Sequence, residues 1–270
     1  MNPFSGKTAI ITGGASGIGR AVAERLVRQG ATVVLADING EQAKTVAREM
    51  TGKGSASGAA LDVADAAAVQ ALVDRVAAEH GRLDYIFNNA GIALAGEARD
   101  MELADWNRIL NVNLHGVVHG VQAAYPLMVR QGFGHIVNTA SIAGLVPFPL
   151  SVAYSTTKHA VVGLSTSLRA EGAGLGVKVS AVCPGFIETP LVDSIKILKM
   201  DKKAATGQLP FKLHPVGKAA EEILKGVARN EAIIVITPQA KLMWYFHRLS
   251  PELFDLANGL IAKQGRKLRK

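Results

Sequence analysis

Residues 7–27 constrain this 270-residue chain most, because they spell a strand, a glycine-rich turn and a helix in immediate succession. Lys7-Thr8-Ala9-Ile10-Ile11-Thr12 is a short β-branched apolar run of the kind that forms a buried strand. Gly13-Gly14-Ala15-Ser16-Gly17-Ile18-Gly19 follows at once, and Val22, Ala23, Leu26 and Val27 then recur at helical spacing. Glycines allow positive φ and close approach of backbone to a ligand, while a helix N-terminus offers unpaired N–H groups to a pyrophosphate. The strand-turn-helix context separates such a motif from incidental glycines. A second apolar run, Ala31 to Ala36, ends in Asp37. A carboxylate there can accept hydrogen bonds from both hydroxyls of an adenosine ribose and would repel a 2′-phosphate. No Lys or Arg follows Asp37 directly and Ser16 is neutral, so NAD is expected rather than NADP.

Apolar runs starting near residues 7, 32, 56, 83, 134, 177 and 231 alternate with amphipathic segments. That order predicts an α/β fold, a doubly wound Rossmann-type parallel sheet with helices on both faces. The length suits one large core in a single domain. Residues 52–58, Gly-Lys-Gly-Ser-Ala-Ser-Gly, read as a short flexible turn rather than a domain boundary. Neither an amino-terminal signal pattern nor a run of eighteen apolar residues is present, which predicts a soluble, cytoplasmic protein.

Tyr154-Ser155-Thr156-Thr157-Lys158, preceded by Ser141, carries the chemistry. A tyrosine hydroxyl ordinarily titrates near pH 10 and is a poor acid-base catalyst at neutrality. A lysine four residues on sits one helical turn along the same face, where its ammonium would favour the phenolate and lower that pKa. A nearby serine hydroxyl could hold the substrate oxygen against the tyrosine. The bare Tyr-x-x-x-Lys pattern occurs in many helices, and its weight comes from the motifs upstream.

The glycine spacing is Gly-x-x-x-Gly-x-Gly, not the Gly-x-Gly-x-x-Gly of most dinucleotide folds. With Asn88-Asn89-Ala90-Gly91 and the Ser141, Tyr154, Lys158 set, residues 5 to 237 closely resemble the short-chain dehydrogenase/reductase family. The resemblance implies that Gly13, Ser16, Gly17, Ile18 and Gly19 cradle the dinucleotide, that Asp62 and Val63 border the adenine, and that Asn89, Ala90 and Gly91 line the cofactor. It further implies that Asn113, within Asn113-Leu114-His115-Gly116, is the asparagine that kinks a helix and holds a proton-relay water; the nearby Asn111 is assigned a structural role. Pro184, Gly185, Ile187 and Thr189 match the nicotinamide-facing turn. By the same resemblance residues 1–240 form the dehydrogenase domain, with a substrate loop near 190–215, and 241–270 a helical extension. The implied reaction moves a hydride between NAD and a secondary alcohol or ketone. Ser141 bonds the oxygen, Tyr154 takes the proton and Lys158 holds the nicotinamide ribose; the direction is open. A homodimer is expected.

The net charge of +8 lies in the carboxyl-terminal quarter: residues 1–195 hold 15 Lys and Arg against 16 Asp and Glu, residues 196–270 hold 15 against 6. No nucleic-acid recognition motif accompanies it, so a solvated basic face, an anionic substrate tail or an acidic membrane surface are the candidates. The family's usual Asp-Gly-Gly ending is missing, which leaves a tetramer open. In its place come Pro238, Lys241 to Arg248, Ser250-Pro251 as a helix start, and the apolar face Leu253, Leu256, Ala257, Leu260 and Ile261. That ending is similar to the branch acting on steroids and other lipophilic alcohols. Packing of this face within the protein is expected ahead of membrane contact. Ile195, Ile197, Leu198, Met200 and Leu209, with Pro147 to Leu150, would wall a bulky hydrophobic substrate. A 3-oxoacyl thioester reductase is the enzymatic alternative and a non-catalytic dinucleotide sensor the other. The histidines show no metal-ligand spacing and are expected at surface or helix positions. Cys183, the only cysteine, is expected buried and inert, and Trp106 and Phe133 are expected as helix packing residues.

Overall fold

The computed structural model describes residues 2–200 and 212–269. Its first element is the expected strand-turn-helix, β1 (Thr8–Thr12) leading through the glycine turn into α1 (Gly17–Arg28). Then come β2 (Thr32–Asp37), α2 (Gly40–Glu49), β3 (Ser55–Ala60), α3 (Ala66–His80) and β4 (Tyr85–Asn88). A short β5 (Leu94–Ala95) precedes α4 (Leu103–Leu110), a π-helical turn over Asn111–His115, and α5 (Gly116–Gln131). The rest is β6 (Gly134–Thr139), α6 (Val152–Gly172), β7 (Val177–Pro184), α7 (Pro190–Asp193), β8 (Lys196–Ile197), α8 (Val216–Ala228), β9 (Ile233–Ile236), α9 (Pro238–Leu249) and α10 (Pro251–Arg266).

Seven strands form one parallel sheet in the order β3-β2-β1-β4-β6-β7-β9, and β5 pairs with β8 in a separate two-stranded ribbon. Side chains alternate across a strand, so a sheet covered on both faces needs apolar residues at every position. β1 meets that need: Ile10 enters a core with Val34, Val73 and Val161, while Ile11 enters another with Leu26, Leu35 and Ile223. α3, α5 and α6 supply the first core; α1, α2 and α8 supply the second. The order reverses between β1 and β4, and the loops leaving those strands diverge there to open a crevice at their carboxyl ends.

Several expectations need correction. Residues 55–58 are not a turn but the start of β3, drawn into the sheet by pairing with Thr32 to Leu35. His135 is buried on β6, with Nε2 2.9 Å from the Ser180 hydroxyl, which itself donates to the Glu231 carbonyl. Burial, with Lys178 and Arg169 nearby, pushes the His135 pKa down to about 3. Phe133 lies in the turn before β6, partly exposed beneath the Arg82 guanidinium. The apolar face of α10 is not packed within the described protein: Leu253, Leu256, Leu260 and Ile261 are exposed, and Phe254 and Gly265 are the helix's buried residues. No helix among the described residues is long and apolar enough to cross a membrane. Leu209 lies outside the described residues.

Candidate active site

A cavity of about 880 Å³ fills the crevice above the carboxyl ends of the strands. It is lined by Gly13, Ser16, Gly17, Ile18, Asp37, Asp62, Val63, Asn89, Ala90, Gly91, Ser141, Tyr154, Lys158, Pro184, Gly185, Ile187 and Thr189. Of the residues expected at the site, Gly19 and Asn113 do not line it. Gly19 instead lets α1 approach β1, since a Cβ there would collide with the Gly13 carbonyl. Asn113 is fully buried behind Gly91, where it buttresses the wall.

At the amino-terminal half of the cavity, α1 begins with no acidic residue in its first turn, and the Ser16 side chain makes no cap bond. Its first N–H groups and the positive end of its dipole are left for an anion. Gly17 holds φ at +52°, a left-handed conformation that side-chain-bearing residues disfavour, and a Cβ there would touch the Thr189 side chain. Asp37 closes this end; its carboxylate accepts from the Ala15 N–H at 3.1 Å and the Asn39 N–H at 3.0 Å. Beside it Ile38 is 77% exposed, a large apolar side chain at the cavity rim. Asp62 accepts from the Ala64 N–H at 2.9 Å. These features fit a dinucleotide without a 2′-phosphate.

The loop after β4 is pinned by a residue the sequence reading passed over. The Thr12 hydroxyl accepts from the Asn89 and Ala90 N–H groups at 2.9 and 3.0 Å, and Asn89 Nδ2 returns a bond to the Thr12 carbonyl at 3.0 Å. A buried threonine at the last position of an apolar strand, just before the glycine turn, was the available signal.

At the other half, α6 delivers Tyr154 and Lys158. The Ser155 hydroxyl ties that helix to the turn after β6 by donating to the Ala143 carbonyl at 2.7 Å, and Ser141 opens that turn by accepting from the Ala143 N–H at 3.1 Å. Lys158 Nζ donates to the Thr139 carbonyl at 2.9 Å and stands 5.6 Å from the centre of the Tyr154 ring. Burial lowers the Lys158 pKa to about 8. Burial also raises the Tyr154 pKa above its ordinary value, against the opposing pull of a hydrogen bond from Ser141. The expected lowering of Tyr154 by Lys158 is therefore overturned in the protein alone, because desolvating a phenolate outweighs the nearby stabilisation. Burial raises the Cys183 thiol to about 12, so it stays protonated.

Asn113 sits in the π-helical turn between α4 and α5, an extra residue that rotates its amide toward Ile92. Its Oδ1 accepts from the Ile92 N–H at 2.8 Å, and its Nδ2 donates to the Ile92 carbonyl at 2.9 Å and the Thr157 hydroxyl at 3.4 Å. Asn111 Oδ1 accepts from His115 Nδ1 at 3.1 Å, and Asn111 lines the cavity. A glycine-turn anion site and a Ser-Tyr-Lys cluster thus open into one chamber.

A family model for short chain dehydrogenases matches residues 7–198. The chain belongs to the short-chain dehydrogenase family. This dehydrogenase is 44% identical to the D-threitol dehydrogenase of Mycolicibacterium smegmatis over 189 residues, 70% of this chain and 73% of that protein. It is 37% identical over 261 residues to a probable oxidoreductase, EphD, of Mycobacterium tuberculosis, covering 92% of this chain but spanning only 44% of that longer protein. A crystal structure of a short-chain dehydrogenase/reductase from Burkholderia phymatum in complex with NAD superposes with a TM-score of 0.84 at 32% identity, covering 94% of this chain and 96% of that one.

Proposed function

We propose that this dehydrogenase interconverts secondary alcohols and ketones with NAD as its redox partner. The observation that carries the reading is the single chamber shared by Asp37, the glycine turn, Ser141, Tyr154 and Lys158. NAD, bound along it, supplies the acceptor for the hydride of the carbinol carbon. Gly13, Ser16, Gly17 and Ile18 hold the pyrophosphate on the α1 dipole. Asp37 accepts from the adenosine ribose hydroxyls, and Ile38 and Val63 flank the adenine. Asn89, Ala90, Gly91, Pro184, Gly185, Ile187 and Thr189 shape the nicotinamide end.

Ser141 donates to the substrate oxygen and fixes it against the Tyr154 hydroxyl. In oxidation the Tyr154 oxygen takes the hydroxyl proton as the carbonyl forms; in reduction the phenol returns it. Lys158, an ammonium at neutral pH, stabilises the phenolate as charge appears there and reaches the ribose hydroxyls. Asn113 holds the backbone at Ile92 and thereby the wall beside Lys158. Ile92, Phe186, Leu191 and Val192 make the substrate half of the chamber apolar, which supports a lipophilic alcohol.

The test is NADH formation with secondary alcohols graded from butan-2-ol to decan-2-ol and a hydroxysteroid, with NADP in parallel. Turnover with NAD that improves with alcohol size supports the reading. Turnover of short polyols alone removes the lipophilic assignment, and NAD binding with no turnover of any alcohol or matching ketone removes the catalytic one.

A further inference from the structure

Three acidic side chains between β5 and the first turn of α4 meet cations from residues 196–199 and 266–269. Asp105 pairs with Lys196 at 2.5 Å, Asp100 with Arg269 at 2.6 Å and with Lys199 at 3.7 Å, and Glu97 with Arg266 at 2.6 Å and Arg269 at 3.1 Å. The acids are mostly covered, with side chains 14% exposed for Glu97 and 5% for Asp100. Arg266 and then Arg99 hold the Glu97 carboxyl down to about 2. Exposed single pairs do little, but a covered carboxylate met by several guanidinium and ammonium groups is a different case.

The clasped segments reach the small apolar cluster of Leu94, Ile109 and Ala153, against which Tyr154 also packs. Leu198 donates its N–H to the Ala95 carbonyl at 2.9 Å and packs against the same cluster of Leu94, Ile109 and Ala153 as Tyr154 does. Met200 bridges Arg269 in antiparallel fashion. On the other side, the Asn258 amide donates to the Pro147 carbonyl at 3.2 Å, and Gly265 lies so close to the Leu150 side chain that a Cβ would collide with it. The Leu150 carbonyl in turn accepts from the Gly96 N–H at 2.7 Å, four residues before Tyr154. Residues 94–100, 147–151 and 196–200 all converge on the carboxyl-terminal helix and its tail.

We propose that this tail is an electrostatic clasp on the substrate half of the chamber, with Arg269 and Asp100 as positioning residues that set the affinity for bulky substrates. The clasp holds the β5–β8 ribbon, and with it Leu198, against the apolar cluster that also supports Tyr154. It accounts for part of the basic excess of residues 196–270 without a nucleic acid or a membrane. The specificity role rests on the alcohol dehydrogenase reading above; the clasp itself does not.

Two measurements on Arg269→Gln separate them. Hydrogen exchange of the unliganded protein reads the Lys196 and Leu198 amides, which bond the Ala93 and Ala95 carbonyls. They are expected to exchange at least about tenfold faster than in the parent, with the sheet amides unchanged. In turnover, KM for decan-2-ol is expected to rise about tenfold, with kcat, KM for NAD and KM for butan-2-ol within about twofold, the pattern of lost uniform binding. Asp100→Asn should reproduce both effects, the double variant should be no worse than either single, and Arg269→Lys should restore part of each. Unchanged exchange in both single variants overturns the clasp. Faster exchange with equal KM changes for the two alcohols overturns its role in specificity. Faster exchange in a protein whose parent turns over no alcohol leaves the clasp standing and removes the functional reading instead.

Discussion

Lys158 and Tyr154 share a face of α6 but answer to different partners: Nζ donates to the Thr139 carbonyl at 2.9 Å, while the phenol hydrogen-bonds Ser141. Burial acts on both, lowering the lysine and raising the tyrosine, so each is pushed toward its neutral form.

For Tyr154 the consequence is directional. A phenol whose pKa is raised is protonated at neutral pH, ready to donate a proton to a ketone but not to accept one from an alcohol. Ketone reduction is expected to hold steady through neutral pH and fall as the solution becomes alkaline, whereas alcohol oxidation rises with pH. Profiles of kcat/KM in the two directions check this. Tyr154→Phe should lower both by about 10³-fold or more while NADH binding, read by fluorescence, is retained.

Lys158 should cost the free protein stability. Its folded pKa of about 8 lies below the ordinary lysine value of 10.5, so the folded state resists the proton. The cost is full below about pH 8 and fades as pH rises toward 10.5, amounting at neutrality to roughly 3 kcal/mol. Lys158→Met should therefore melt on the order of 5 °C higher at pH 7 and lose most of that gain by pH 10, while losing turnover. A lower melting temperature at pH 7 would contradict the account.

His135 follows the same sign at lower pH. Its folded pKa of about 3 lies below 6.5, so the stability of its neutral form is present above pH 6.5 and lost as pH falls toward 3. The loss reaches roughly 3 kcal/mol by pH 4. His135→Gln should flatten this acid limb in denaturant titrations between pH 7 and 4, with little effect on kcat.

Asp37 couples cofactor choice to loop shape, because the carboxylate proposed to receive the ribose also accepts from the Ala15 N–H. Asp37→Ser should improve the NADP-to-NAD ratio of kcat/KM by about 10²-fold through removal of charge repulsion. It should also raise KM for NAD. Parallel kinetics with both dinucleotides measure the two effects separately.

The parts of this site that depend on local pattern were legible in the sequence. The turn at Gly13–Gly19, Asp37 at a strand end and the Tyr154–Lys158 spacing follow from short-range periodicity, and the parallel sheet follows from alternation of strand and helix. What escaped depends on partners far apart in sequence. Thr12 matters because Asn89 and Ala90 come to it from the loop after β4, and His135 is buried because β7 and Glu231 flank it. The direction of the Tyr154 shift escaped too, since spacing shows the lysine but not the depth of burial. Periodicity also marked Leu253, Leu256 and Leu260 as one face without saying what that face meets; in the folded chain it meets solvent.

The strand order has a temporal meaning. Read outward from β1, the sheet adds β2 and β3 on one side, then β4, β6, β7 and β9 on the other, each strand joining an existing edge in the order in which it is synthesised. No strand must wait for a later neighbour to be inserted between it and β1, so the nascent chain can zip its sheet as it emerges. The glycine turn and Asp37 are in place after the first two strands, Tyr154 only after β6, and Arg266 and Arg269 after every strand. The chamber is thus built from its dinucleotide end toward its substrate end.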